Sequence, residues 1–313
     1  MARDEAAQWN RRMLIGGLAT SALLAPIRTI GAVAGPAGLA GPRTRLPRGT
    51  VDAHHHIYDS RYPIDPMAPR RPADASIADY RALQARLGFH RHVIVQPSLY
   101  GTDNRLLLDA LAVFGAEARG VAVIDPAIAD SDLRSMNAKG VCGVRFNLSS
   151  PNGAPVATMQ AVAARLQPLG WHIQIVAKPD RIIEHADLFG SLPVPVVFDH
   201  LAQIGAPGTD HPAFKIVSDL MRRQKAWVKI SGLYTFGRSG SPAYPDAEAL
   251  MRGYLKVAPT RLVWGTDWPH PTLDENSKPD DALLVDLVAG WLGSDRLRRQ
   301  VFAANPAKLY GFA

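Results

Sequence analysis

A histidine pair, a distant third histidine and a late aspartate are the residues best suited to chemistry in this chain. The pair lies in Val51-Asp52-Ala53-His54-His55-His56. Side chains on a strand alternate between faces, so His54 and His56 share one face and His55 takes the other. Two imidazoles at one strand end can hold a metal jointly or give two hydrogen bonds to one oxygen. His200 follows the run Val194-Pro195-Val196-Val197-Phe198-Asp199, and Asp267 follows Arg261-Leu262-Val263-Trp264-Gly265-Thr266. A carboxylate facing imidazoles is suited to accepting a proton from water. Singly, Asp267 reads as well as a turn or N-cap residue and His200 as a core histidine. Their coincidence at three strand ends is what favours a site.

The elements that must position these residues alternate regularly. Strands are predicted at Val51–Ile57, His92–Gln96, Gly120–Ile124, Gly143–Phe146, Trp171–Val176, Val194–Phe198, Trp227–Ile230 and Arg261–Trp264. Helical patterns between them include Ile77–Leu87, Asn104–Phe114, Pro155–Leu166, His211–Arg223 and Asp246–Val257, with Pro279–Leu292 and Ser294–Ala303 after the last strand. Short apolar runs alternating with such helices signal parallel βα units. Eight of them, over residues 51–313, predict a (β/α)₈ TIM barrel, which typically takes ~250 residues. An open doubly wound sheet fits less well, because Tyr58-Asp59-Ser60-Arg61 follows the first strand where a Gly-rich phosphate turn belongs. In a barrel, catalytic groups emerge at the C-terminal strand ends, where His54, His56, His200 and Asp267 lie.

Bulk properties narrow the function. Net charge is +7 without a basic block, and no basic stripe interleaved with aromatics argues for nucleic acid. The bias is compatible with an anionic small molecule. A single cysteine, Cys142, excludes an internal disulfide and a thiolate metal cluster. Residues 1–34 have the layout of an export signal: Asn10-Arg11-Arg12, an apolar run from Met13 to Ala25, then Ala32-Val33-Ala34. The arginine pair is twin-arginine-like, which leads to an expectation of a periplasmic enzyme with no membrane span after cleavage. Residues 35–50, rich in Gly, Pro and Arg, read as a linker.

The constellation resembles the amidohydrolase superfamily, within the branch of pyrone-dicarboxylate lactonases and sugar-acid lactonases and lactone isomerases. Stretches carrying the likeness include His92-Val93-Ile94-Val95-Gln96, Gly101-Thr102-Asp103-Asn104, Gly143-Val144-Arg145-Phe146-Asn147 and Val263-Trp264-Gly265-Thr266-Asp267-Trp268-Pro269-His270-Pro271. The resemblance implies a lactone hydrolase with Asp267 as base and His54, His56 and His200 polarising the carbonyl. Metal-bearing members add a histidine at the mouth of strand five. His172 instead opens that strand, roughly 13 Å from its far end. The expectation is therefore a site without a cofactor. Zinc held by His54, His56 and Asp267 stays open. Arg145 is the candidate anchor for a substrate carboxylate. Ser98, Tyr100, Asn104, Ser231 and Tyr234 are candidate substrate contacts. Cys142 and Val176 stand where the dicarboxylate lactonase pattern has an arginine and a tyrosine, which leaves the particular lactone open. A zinc-dependent hydrolase or decarboxylase, a lactone isomerase and a non-catalytic binder remain as alternatives.

Overall fold

In a computed structural model that describes residues 40–66, 68, 71–149, 154–239 and 243–312, eight parallel strands form a nearly closed barrel. The export-type segment and the start of the linker lie outside the described residues. The strands are β1 (Val51–His55), β2 (Arg91–Val95), β3 (Ala118–Ala122), β4 (Val141–Asn147), β5 (His172–Val176), β6 (Val196–Phe198), β7 (Ala226–Ile230) and β8 (Leu262–Trp264), paired in chain order. Among the connecting helices, α1 (Ile77–Leu87) starts in a Ser76/Asp79 capping box and ends at Gly88 in the left-handed region. No helix among the described residues is long and apolar enough to cross a membrane.

The barrel interior is layered. At the floor, Val51, Ala53, Val93, Val95, Val197, Trp227 and Val263 pack with Tyr310 and Phe312 of the C-terminal segment. Above this apolar layer comes a polar one, and the mouth follows. Simple alternation along β1 would put Val51 and Ala53 opposite His54 and His56, yet all four face inward. A register slip between Asp52 and His55 explains this, because an irregularity of that kind resets the alternation. His55 is left outside, with its Nε2 2.8 Å from His92 Nδ1 and its ring stacked on Tyr80.

Closure between β8 and β1 runs past the last regular strand residue. His56 N donates to Trp268 O at 2.8 Å, and Asp267 N donates to His54 O at 2.8 Å. Asp52 completes the seam: its carboxylate accepts from Thr266 N (2.9 Å), Thr266 Oγ1 (2.7 Å), His54 N (3.1 Å) and Tyr80 Oη (2.9 Å). Gly265 is required here, since a Cβ would lie 2.7 Å from His54 N and Cβ. The backbone that carries His54 and His56 is thereby tied to the backbone that carries Asp267. Asp52→Ala would strand several buried donors at once. It is expected to lower stability by on the order of 3 kcal/mol, read as a shifted urea midpoint at unchanged slope.

Candidate active site

At the mouth of the barrel lies a cleft of about 350 Å³. Asp267, His56 and His200 line its base, Arg145, Asn147 and Val176 one wall, and Tyr58, Ser98 and Leu99 another. Gln203, Tyr234, Thr235 and Thr272 come from the loops after β6, β7 and β8. Among the described residues, Arg145 is the lysine or arginine that lines this cleft.

His54 is wholly buried beneath it. Its Nε2 is 3.3 Å from His56 Nε2 and 3.5 Å from Asp267 Oδ1, and His56 Nε2 is 3.8 Å from the same oxygen. His56 Nδ1 meets the Val95 carbonyl at 2.7 Å. A carbonyl only accepts, so that nitrogen carries the proton and His56 Nε2 keeps its lone pair when the ring is neutral. His200 Nδ1 lies 2.9 Å from Ser231 Oγ and 4.0 Å from Asp267 Oδ2. Tyr234 Oη donates to Asp267 Oδ2 at 2.6 Å. Gly232, at φ +58°, makes room for this arrangement, because a Cβ there would sit 2.6 Å from His200 Nδ1. His200 and Asp267 themselves hold φ of 51° and 62°, sparsely populated values for residues with side chains.

Burial dominates the titration of the imidazoles. It holds His54 well below its usual value, and His56 down at about 4 with help from the Arg145 guanidinium. Burial pushes the Asp267 carboxyl up, but His200, His54 and His56 and the Tyr234 hydrogen bond outweigh it and hold it at about 2. Asp267 is therefore an ionised acceptor facing the cleft.

A second polar layer supports the first. Asp199, which follows β6, puts Oδ1 3.2 Å from His54 Nδ1 and accepts from Gln174 Nε2 at Oδ2, 2.9 Å away. Lys229, wholly buried in β7, donates to Gln174 Oε1 at 2.6 Å and lies 3.3 Å from His54 Nδ1. Burial lowers the Lys229 ammonium to about 8, against the pull of Asp199. None of Lys229, Gln174 or Asp199 figures among the residues expected from the sequence to act. Lys229 carried a signal all the same, as a lysine two places after Trp227 in an otherwise apolar strand.

The expected site residues divide. His54, His56, His200 and Asp267 converge, and Arg145, Ser98 and Tyr234 reach the cleft. Tyr100 and Asn104, expected as substrate contacts, do not. Tyr100 Oη is engaged with the backbone of Asp59, and Asn104 staples Thr102 to Val123. Ser231 is spent on His200 rather than on the cleft. Cys142 packs against the apolar floor with Sγ toward Gly120 O, so its identity does not bear on substrate. His172 is likewise at the floor, its ring 5.4 Å from that of Tyr310. For a metal, His54, His200 and Asp267 converge, with donor atoms within 4.8 Å of one another. The expected set of His54, His56 and Asp267 converges as well, with 3.3, 3.5 and 3.8 Å between its donor atoms.

The sequence model of the amidohydrolase family matches residues 51–312. The chain belongs to this family. It is 36% identical over 282 residues to a 2-pyrone-4,6-dicarboxylate hydrolase of Comamonas testosteroni, covering 86% of this chain and 92% of that one. It is 32% identical over 274 residues to a D-galactarolactone isomerase of Agrobacterium fabrum, covering 86% and 93%. A solved Agrobacterium tumefaciens structure superimposes with a TM-score of 0.82 at 31% identity, over 88% of this amidohydrolase and 98% of that chain.

Proposed function

We propose that this amidohydrolase opens the ester bond of a lactone that bears a carboxylate. The observation that carries the reading is one cleft holding both an ionised acceptor, Asp267, and a buried guanidinium, Arg145. Names of the relatives support it, since one states hydrolysis of a pyrone dicarboxylate, itself a cyclic ester, and the other isomerisation of a galactarolactone. Water attacks the lactone carbonyl as its proton passes to Asp267. The negative charge that develops on the carbonyl oxygen is met by the His200 imidazole at the base of the cleft. Collapse breaks the ring C–O bond, and Asp267 returns its proton to the leaving oxygen. The product is an open-chain hydroxy acid.

His54, His200 and Asp267 also fit a divalent metal, as acceptors in a compact buried set. Such an ion would supply Lewis-acid polarisation of the carbonyl. The proton transfers above belong to the side chains in either case.

A pH-drop assay over a panel of carboxylated lactones tests the reading. Acid release identifies hydrolysis, whereas an isomeric lactone without acid release identifies isomerisation, and no turnover of any lactone sinks both. Because Asp267 is held at about 2 and His56 at about 4, the acid limb of kcat/KM is expected at or below about pH 4, outside the window from about pH 5 to pH 7. An acid limb centred within that window would assign the base to another group. We further propose that residues 1–34 direct export. Fractionation of cells producing the full chain would overturn that if the enzyme stays cytoplasmic.

A further inference from the structure

We propose that a basic groove on the side of the barrel where β1 and β2 begin is a docking surface for an anionic phospholipid membrane. The groove, of about 760 Å³, lies between residues 41–50 and residues 86–91. Arg43, Arg45, Arg48, Arg86, His90 and Arg91 line it, and among the described residues no carboxylate does. These cations form no block in the sequence. The fold gathers them from two separate segments.

The segment that carries three of them is held in place. Asp286 accepts from Arg43 N at 3.0 Å and from Thr44 N at 2.8 Å, and Arg86 Nε donates to Ala40 O at 3.2 Å. Leu46 is buried, and Thr50 Oγ1 donates to Pro47 O at 2.7 Å. Arg43, Arg45 and Arg48 are exposed, and none enters an ion pair among the described residues. The acids close by are Asp280, paired with Arg86, and Asp286, which faces backbone amides with both oxygens. The rest of this end of the barrel has the same sign. Arg119, Lys139, Lys225 and Arg261 stand at or just before the starts of β3, β4, β7 and β8, with Glu117 near Arg119. Arg91 and Arg119 carry the charge across the floor, their guanidinium carbons 5.8 and 4.6 Å from the Phe312 ring centre.

A membrane is the polyanion that the sequence around the groove favours. From Ala6 to Val51 there are six arginines and no Asp or Glu. The apolar run Met13–Ala25 falls in that stretch and is shorter than the ~20 residues a spanning helix needs. A modest apolar contact holds a protein to a bilayer only marginally, and stable attachment takes a second signal such as a polybasic patch. Residues 26–39 can reach at most about 50 Å when extended, and the chain arrives at Ala40 beside the groove. Nucleic acid fits less well, because Phe89 of the groove is buried, which leaves bases no Phe, Tyr or Trp there to stack on. With the groove on lipid, the active-site cleft, where the same strands end, stays open to solvent.

The test uses the full chain and no substrate, so it stands apart from lactone hydrolysis and from export. Co-sedimentation with vesicles at low salt is expected to show about 100-fold tighter binding to phosphatidylglycerol mixed with phosphatidylcholine than to phosphatidylcholine alone. High salt should abolish that difference by screening. The triple variant Arg43→Gln, Arg45→Gln, Arg48→Gln alters exposed side chains only. It should bind both kinds of vesicle within about threefold of each other, on the scale of three cations removed from a charged surface. Its binding to phosphatidylcholine should match wild type, because the apolar run is untouched. A second triple variant, Arg61→Gln, Arg105→Gln, Lys178→Gln, removes the same formal charge from exposed positions that follow β1, β2 and β5, on the mouth side. It should keep the preference for phosphatidylglycerol. Equal binding of wild type to both vesicles, an unchanged preference in the groove variant or an equal loss in the mouth-side variant would each overturn the proposal. Tighter binding to duplex DNA than to the vesicles, or release from them by millimolar inorganic phosphate, would also overturn it.

Discussion

Asp267→Asn is expected to lower kcat by about 10³-fold, with KM within a few-fold of wild type and the fold intact. A positioned general base contributes typically 10² to 10⁴, so the loss corresponds to roughly 4 kcal/mol of barrier. The fold should survive because the seam between β8 and β1 uses the backbone amide of residue 267, which asparagine keeps. The amide oxygen can still accept from Tyr234, as Oδ2 does now. What changes is the Oδ1 side, 3.5 Å from His54 Nε2 and 3.8 Å from His56 Nε2, where no proton can any longer be stored. Steady-state kinetics on the best lactone of the panel check this, with calorimetric binding of the same lactone as control. Full activity in the variant would remove Asp267 from the reaction. The same preparation, assayed with and without chelator, bears on the metal. Activity lost on chelation and restored by zinc would make His54, His200 and Asp267 ligands first.

The strands and the first layer of the site were legible because both follow short-range rules. Apolar runs at βα spacing place eight strands, and a polar residue at the end of each run points at the mouth. What was not legible arises from contacts between elements. Inward placement of His54 beside Ala53 depends on the slip between Asp52 and His55, which no alternation rule anticipates. Tyr100 and Asn104 look like substrate contacts because they follow strand two. Whether a loop side chain turns to substrate or to its own backbone is set by the loop's path, and both turn to backbone. Asp199 and Gln174 lay in plain view next to His200 and within strand five. Their function depends on Lys229 arriving from β7 between them. Only the Lys229 position could have been flagged in advance, since an unpaired lysine would not survive in an apolar barrel strand.

Arg145→Met is expected to reduce kcat/KM on a carboxylated lactone by about 100-fold and on an uncharged lactone of the same ring by less than about threefold. A hydrogen-bonded charge pair lost from a partly desolvated site costs about 1.5–3 kcal/mol. Arg145 has donors to give. Its Nε is buried on the Asp199 side, and Nη1 reaches Gln96 O only at 3.5 Å, which leaves the terminal donors for the cleft. A planar fork with unspent donors in a cleft wall suits a carboxylate, which can accept two of them in parallel. Arg145→Lys should recover part of the loss, because the charge returns without the fork. The uncharged lactone is needed because Arg145 Nε also lies 3.5 Å from Asp199 Oδ2. Removing the guanidinium leaves Gln174, Lys229 and His54 as the groups close to that carboxylate, which alters the support of His54 for every substrate. Equal losses on both lactones would therefore place Arg145 in the layer beneath the histidines. A loss confined to the charged lactone would make it the group that selects for an anion.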